Sequence, residues 1–185
     1  DPHLPPPRRR PEPKSPPRKQ RWLLHLSLFA LTFLSAMWSQ IQALPGEDFF
    51  NLMSGPLTNP ERLLEGLPFA TTLMAILLAH EMGHYLTAKR YGVDQSLPYF
   101  IPAPTIFGTL GAVILMRSQP ATRRDLLNVA VMGPYAGVIL AIPATAWGLA
   151  NSIPIEPEQM QAGHLWFGSS IMFSWLEDFF SPNSF

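Results

Sequence analysis

Four long apolar stretches divide the chain at residues 22–41, 67–91, 126–150 and 165–180. A helix rises about 1.5 Å per residue, so roughly 20 apolar residues cross the hydrocarbon core of a bilayer. The pattern predicts an all-α integral membrane protein with three to four transmembrane helices. The fourth stretch is shorter and ends in Glu177 and Asp178, so it either spans only in part or lies at the interface.

A segment of different character, residues 96–116, follows the second stretch. Pro98, Pro102 and Pro104 prevent a regular helix there. The apolar, β-branched run after them contains two glycines and predicts a strand or tight hairpin. Lipid cannot satisfy the backbone of such a segment, so we expect it to re-enter the membrane beside protein or a polar cavity. A cytoplasmic surface loop is the alternative.

The charged residues fix an orientation for these predicted spans. Residues 1–21 are rich in proline and hold seven of the thirteen Lys and Arg residues, which predicts a disordered basic tail. If that tail is cytoplasmic, or on the equivalent side, twelve of the thirteen basic residues share its side and only Arg62 lies opposite. This arrangement follows the positive-inside rule and argues against a soluble metalloprotease with a buried helix. The tail either is free in solvent or binds an anionic membrane surface.

Composition agrees with a membrane location and narrows the partners. The chain is 47% hydrophobic and only 14% charged, whereas soluble domains carry about 25% charged residues. Its formal net charge is zero, which gives no indication of a nucleic-acid partner. It has no cysteine, which excludes disulfides and thiolate metal ligands.

The second apolar stretch carries the motif His80-Glu81-Met82-Gly83-His84. Residues four apart lie on one face of a helix, so both imidazoles can bind one Zn²⁺ ion. Glu81 is then placed to act as general base towards a zinc-activated water. Ionisable groups inside a membrane helix are costly without partners, which favours a functional role for all three side chains.

Two other features have structural interpretations. His25 is predicted to be an interfacial residue of the first stretch rather than a metal ligand. Gly133 and Gly137, within Gly-Pro-Tyr-Ala-Gly, predict close helix packing, with a share in shaping the active-site cavity as the alternative.

Four motifs in this order resemble the site-2 protease family of intramembrane zinc metalloproteases, in its cyanobacterial and plastid branch, over roughly residues 60–150. They are Ala79-His-Glu-Met-Gly-His-Tyr85, Leu97-Pro-Tyr-Phe-Ile-Pro-Ala-Pro104, Phe107-Gly-Thr-Leu-Gly-Ala-Val-Ile114 and Gly133-Pro-Tyr-Ala-Gly137. The resemblance implies an enzyme that cleaves transmembrane protein substrates, with His80 and His84 as zinc ligands and Glu81 as base. It also implies that Gly108, Thr109, Leu110 and Gly111 lie against the extended substrate.

The family's third zinc ligand, an Asp followed by Gly and preceded by an Asn-x-x-Pro element, has no counterpart in this sequence. Asn151-Ser-Ile-Pro154 has the first spacing but no Asp-Gly after it. We therefore expect residues 22–185 to be a partial metalloprotease domain that ends before its third ligand, or a protein that lacks the ligand. A non-proteolytic membrane scaffold or chaperone-like binder that keeps the zinc motif is the alternative function. The membrane is either a bacterial plasma membrane or a plastid membrane such as the thylakoid.

Overall fold

The computed structural model of the chain describes residues 21–41, 60–151 and 174–176. Its elements in chain order are α1 (Trp22–Ser39), α2 (Glu61–Glu65), α3 (Leu67–Arg90), β1 (Tyr99–Pro102), β2 (Thr109–Val113) and α4 (Arg123–Ala150). Three of them, α1, α3 and α4, coincide within a few residues with the first three predicted spans. The basic tail up to residue 20 and nearly all of the fourth stretch lie outside the described residues.

Helix α4 is continuous through Pro134 and Pro143, although proline is disfavoured in the interior of a helix. Each proline removes one backbone hydrogen bond, which a long helix tolerates when its other bonds and its packing persist. Its start is three residues earlier than predicted because Thr122 and Asp125 form a capping box, each side chain bonded to the other residue's backbone amide.

Strands β1 and β2 form an antiparallel hairpin, as the sequence predicted for this segment. Tyr99 pairs with Val113 and Phe100 with Ala112, and an irregularity follows before Pro102 pairs with Thr109. An isolated bridge between Gln95 and Met116 continues the pairing towards α3. The hairpin is therefore joined at its base to the end of the helix that carries the histidines.

The packing of α3 on α4 is unusually close at Gly83. A Cβ on Gly83 would overlap the backbone carbonyl of Met132 on α4. Further along the pair, Ala88, Val93 and Val129 form a buried cluster. Small side chains at a helix contact let the backbones approach, which is the packing that the spacing of Gly133 and Gly137 predicted.

Helices α1 and α4 are long and apolar enough to cross a membrane, judged by length and composition. Only 22% and 17% of their most apolar 18-residue windows are buried in the structure, whereas the core helix of a soluble protein would be mostly covered. Their outward faces carry large apolar side chains such as Leu31, Val131 and Ile139. The described part of the chain thus has the outward apolar surfaces of a membrane protein, while the count of three to four spans stays a prediction.

Candidate metal centre

His80 and His84 meet on one face of α3. Their Nε2 atoms are 3.1 Å apart, and their ring centroids are separated by 4.8 Å. Two imidazole nitrogens that share one tetrahedral zinc ion at about 2.0–2.1 Å lie about 3.3 Å from each other. The pair therefore fits Zn²⁺ in donor type and in spacing.

The orientation of His84 is fixed from α4. Its Nδ1 lies 2.7 Å from the carbonyl oxygen of Val129, and a carbonyl can only accept, so Nδ1 carries the proton and donates. In the neutral ring this leaves Nε2 unprotonated and able to bind a metal. A backbone carbonyl holding the second nitrogen of a ligand histidine is a common arrangement at zinc sites.

Two glycines of α4 make room for these imidazoles. A Cβ on Gly133 would overlap the His84 ring at Nε2, so the missing side chain leaves open the space beside the ligand atom. A Cβ on Gly137 would come no nearer to His80 than 3.4 Å, at Nδ1, which is ordinary contact. Gly133 and Gly137 therefore both pack helices, as predicted, and Gly133 also leaves room for the His84 imidazole.

Glu81 is 8% exposed and lines the same cavity as the two histidines. The cavity has a volume of about 450 Å³ and lies between α3, α4 and the hairpin. The described residues of its wall are His80, Glu81, His84, Gln95, Ala112, Val113, Ile114, Met116, Leu126, Val129 and Ala130. A carboxylate and two imidazoles thus face one largely apolar space.

None of the four hairpin residues expected to contact a substrate lines this cavity. The end of β2 and the residue after it, Ala112–Ile114, line the cavity, and residues 108–111 are not among its lining residues. Gly108 is in the hairpin turn, with a positive φ of 72°, and packs on the backbone of Ala36 in α1. Thr109 is buried and bonds the carbonyl of Ile101, whereas Leu110 is 70% exposed. A substrate role for residues 108–111 stays a prediction.

Sequence reasoning missed Gln95. It is 4% exposed, lines the cavity, and its amide Nε2 donates to the carbonyl of Tyr85 on α3. Gln95 therefore ties the base of the hairpin to α3, the helix that carries His80 and His84. Its only signal in the sequence is an uncharged polar residue shortly after the turn that ends α3, which is too weak to single it out.

No described carboxylate completes the ligand set. Within residues 21–41, 60–151 and 174–176, no group of three or more His, Cys, Asp or Glu side chains is placed to hold a metal ion. Asp94 lies 3.8 Å from Arg117 in an ion pair, and Asp125 caps α4. The carboxylate of Asp178 and the end of the Asn-x-x-Pro element at Pro154 lie outside the described residues.

Comparison with known proteins identifies the family of this chain. The family described as "Peptidase family M50" matches residues 68–180, which include the hairpin, α4 and all of α3 except Leu67. The chain belongs to peptidase family M50. This is the site-2 protease family, so the resemblance seen in the sequence is confirmed.

The curated relatives of this M50 chain are plant proteins. "Probable zinc metalloprotease EGY1, chloroplastic" of Arabidopsis thaliana is 32% identical over 167 residues, which cover 80% of this chain and 30% of the relative. "Probable zinc metalloprotease EGY2, chloroplastic" of the same plant is 40% identical over 84 residues, 45% of this chain and 15% of the relative. The EGY1 protein of Oryza sativa subsp. japonica is 33% identical over 144 residues, 71% of this chain and 25% of the relative. The chain thus spans less than a third of the length of these relatives. No solved structure matches it significantly.

Proposed function

We propose that this M50 chain contributes the two histidine ligands and the general base of an intramembrane zinc metalloprotease that cleaves transmembrane protein substrates. The observation that supports this most directly is the convergence of the two Nε2 atoms, 3.1 Å apart, on a cavity that Glu81 also lines. Family membership and the relatives' names support a protease and do not favour the scaffold alternative.

In this proposal His80 and His84 hold the metal from one side. Zn²⁺, when bound, supplies Lewis acidity and lowers the pKa of a coordinated water to about 7. Glu81 accepts the proton of the attacking water and later returns a proton to the leaving amine, a role that contributes about 10²- to 10⁴-fold to the rate. The helix spacing places Glu81 next to the first ligand, so acid–base chemistry and metal binding share one rigid element.

The substrate is proposed to enter as an extended chain beside β2. The carbonyls of a helical substrate are engaged in its own hydrogen bonds, so cleavage requires local unwinding. An unwound segment can be held by main-chain pairing to an exposed strand. Ala112–Ile114 line the same cavity as the proposed catalytic residues.

A plastid membrane is the proposed location. The relatives are named chloroplastic, and α1 and α4 have the length and composition of membrane helices. The multi-pass arrangement, with the basic N-terminal tail on the stromal or cytoplasmic side, is part of the same proposal. The partners are the lipid bilayer and transmembrane protein substrates.

The test replaces Glu81 by Gln in the full-length protein, purified in detergent and supplied with a fluorogenic single-span peptide that has Gly-Pro near its centre. Glu81→Gln keeps the size of the side chain and removes the base, so cleavage should fall by at least about 10²-fold while bound zinc is unchanged. Glu65→Gln, an exposed Glu on α2, is the matched control and should cleave normally. Normal cleavage by Glu81→Gln would refute the assigned role.

A further inference from the structure

One face of α1 lies against the hairpin. The residues His25, Phe29, Thr32 and Ala36 recur at the spacing of a single helix stripe, and all are buried or half-buried. The His25 ring lies 4.2 Å from that of Tyr99 on β1. Phe29 meets Phe100 edge to face, with the centroids 5.0 Å apart, an arrangement that aromatic pairs favour.

Polar side chains of α1 and the residue after it also reach backbone carbonyls of the hairpin. The contacts are His25 Nδ1 to Pro98 O at 3.1 Å, Ser35 Oγ to Ala103 O at 3.4 Å, and Gln40 Nε2 to Ile106 O at 3.3 Å. Since a carbonyl only accepts, His25 donates from a protonated Nδ1. The first contact is buried and joins residues 73 positions apart in the chain.

The spacing of the first two contacts matches the two backbones. From His25 to Ser35 a helix advances about 15 Å. From Pro98 to Ala103 an extended chain advances about 16 Å. The two segments therefore run side by side in the same direction, which explains why donors ten residues apart in α1 meet acceptors five residues apart in the hairpin.

These three contacts satisfy part of the hydrogen-bonding requirement of the hairpin backbone. Within the described residues the sheet has two strands, so β1 is paired with β2 along one edge only. Hydrocarbon offers no hydrogen-bond donors, and an irregular backbone at membrane depth needs partners from protein or enclosed water. Helix α1 and Gln40 supply side-chain donors to carbonyls just before β1, at Pro98, and just after it, at Ala103 and Ile106.

We propose that His25 is a positioning residue, which holds the hairpin so that its wall at Ala112–Ile114 stays fixed beside His80 and His84. The consequence for cleavage rests on the proposed function, whereas the anchoring of the hairpin does not. His25 touches neither the cavity nor the histidine pair in the structure, so it acts through the hairpin alone. Helix α1 is thereby part of the catalytic architecture, although the family match begins only at residue 68.

The test compares His25→Asn with His25→Leu in the full-length protein. The Asn side-chain amide can place a donor where Nδ1 stands, and Leu has nearly the same shape without a donor. Ser27→Ala is the control, because Ser27 is exposed and bonds only within α1, to Leu23 O. Zinc content should be unchanged in all three variants, since none contacts the metal centre.

Two measurements distinguish anchoring of the hairpin from its effect on substrate binding. Hydrogen–deuterium exchange of residues 95–116 should be about tenfold faster in His25→Leu, the size expected from leaving one buried carbonyl unsatisfied, and close to wild type in His25→Asn and Ser27→Ala. On the Gly-Pro fluorogenic peptide, His25→Leu should raise KM several-fold with kcat nearly unchanged, and His25→Asn should restore KM. The KM effect is expected because a loosened wall must be ordered when the substrate binds.

Unchanged exchange in His25→Leu, or faster exchange that His25→Asn fails to reverse, would overturn the anchoring role. Faster exchange with an unaltered KM would overturn the positioning role. If His25→Leu loses zinc and does not fold, Gln40→Met takes its place, because it removes the donor to Ile106 O. Exchange should again become faster and KM should again rise. The exchange result stands even if Glu81→Gln cleaves normally, so failure of this inference and failure of the proposed function are distinguishable.

Discussion

Gly133 on α4 lies directly against the imidazole of His84, and replacing it by Ala tests whether this contact sets the zinc site. The new Cβ would overlap Nε2, Cε1 and Cδ2 of the ring. The ring cannot simply swing aside, because its Nδ1 is bonded to Val129 O at 2.7 Å. Either that bond breaks and Nε2 moves away from His80, or α3 and α4 separate.

The magnitudes show which measurement is sensitive. Ala is favoured over Gly in a helix interior by about 1 kcal/mol. Overpacking of this kind costs about 1–3 kcal/mol. The two effects partly cancel, so the free energy of unfolding should change by no more than about 2 kcal/mol. Zinc affinity gains nothing from the better helix propensity of Ala. Disturbing a group that orients a ligand lowers metal affinity by about 10- to 100-fold, so zinc affinity is the more sensitive measurement.

Two further glycines of the same helix provide matched controls. A Cβ at Gly137 would stand 3.4 Å from His80 Nδ1, and a Cβ at Gly148 would meet nothing within 4 Å. Gly137→Ala and Gly148→Ala should therefore keep wild-type zinc affinity, and Gly148→Ala should stabilise the helix by up to about 1 kcal/mol. Competition with a chromophoric chelator in detergent measures the zinc affinity of the wild type and of the three glycine variants. Equal zinc affinity of Gly133→Ala and Gly137→Ala would refute the reasoning from the Gly133 contact.

Three more outcomes follow from the described contacts. Gly92 and Gly108 both have a positive φ, of 71° and 72°, but of the two only Gly108 packs on the α1 backbone. Gly92→Ala should lower the free energy of unfolding by about 1–2 kcal/mol, and Gly108→Ala should lower it clearly more. Thermal unfolding in detergent measures both. Thr122→Ala removes the N-cap of α4 and should cost about 1 kcal/mol without altering zinc affinity, and a large loss of zinc would contradict a purely local role. His84→Ala should reduce zinc binding far more than Thr122→Ala does, which metal analysis after dialysis would establish.

Much of the fold is encoded locally and could be predicted. Hydropathy located α1, α3 and α4 within a few residues of their observed ends, because a membrane helix needs a long uninterrupted apolar run. Prolines excluded a helix at residues 98–104, and the glycine-bearing apolar run after them indicated the hairpin. Local patterns did not reveal that α4 stays helical through both prolines, since that depends on its packing as well as on its own sequence.

The sequence by itself determined which two histidines lie together: residues four apart on a helix share a face, so the spacing alone pairs His80 with His84. The tertiary structure decided how that pair is held. Val129 O, 45 positions from His84, sets its tautomer, and His25 reaches Pro98, 73 positions away. Helix and strand periodicities describe neighbours within a few residues, so they carry no information on which distant carbonyl a side chain will meet. Those contacts exist only once the helices pack, and packing brings the hairpin wall to the cavity that His80 and His84 line.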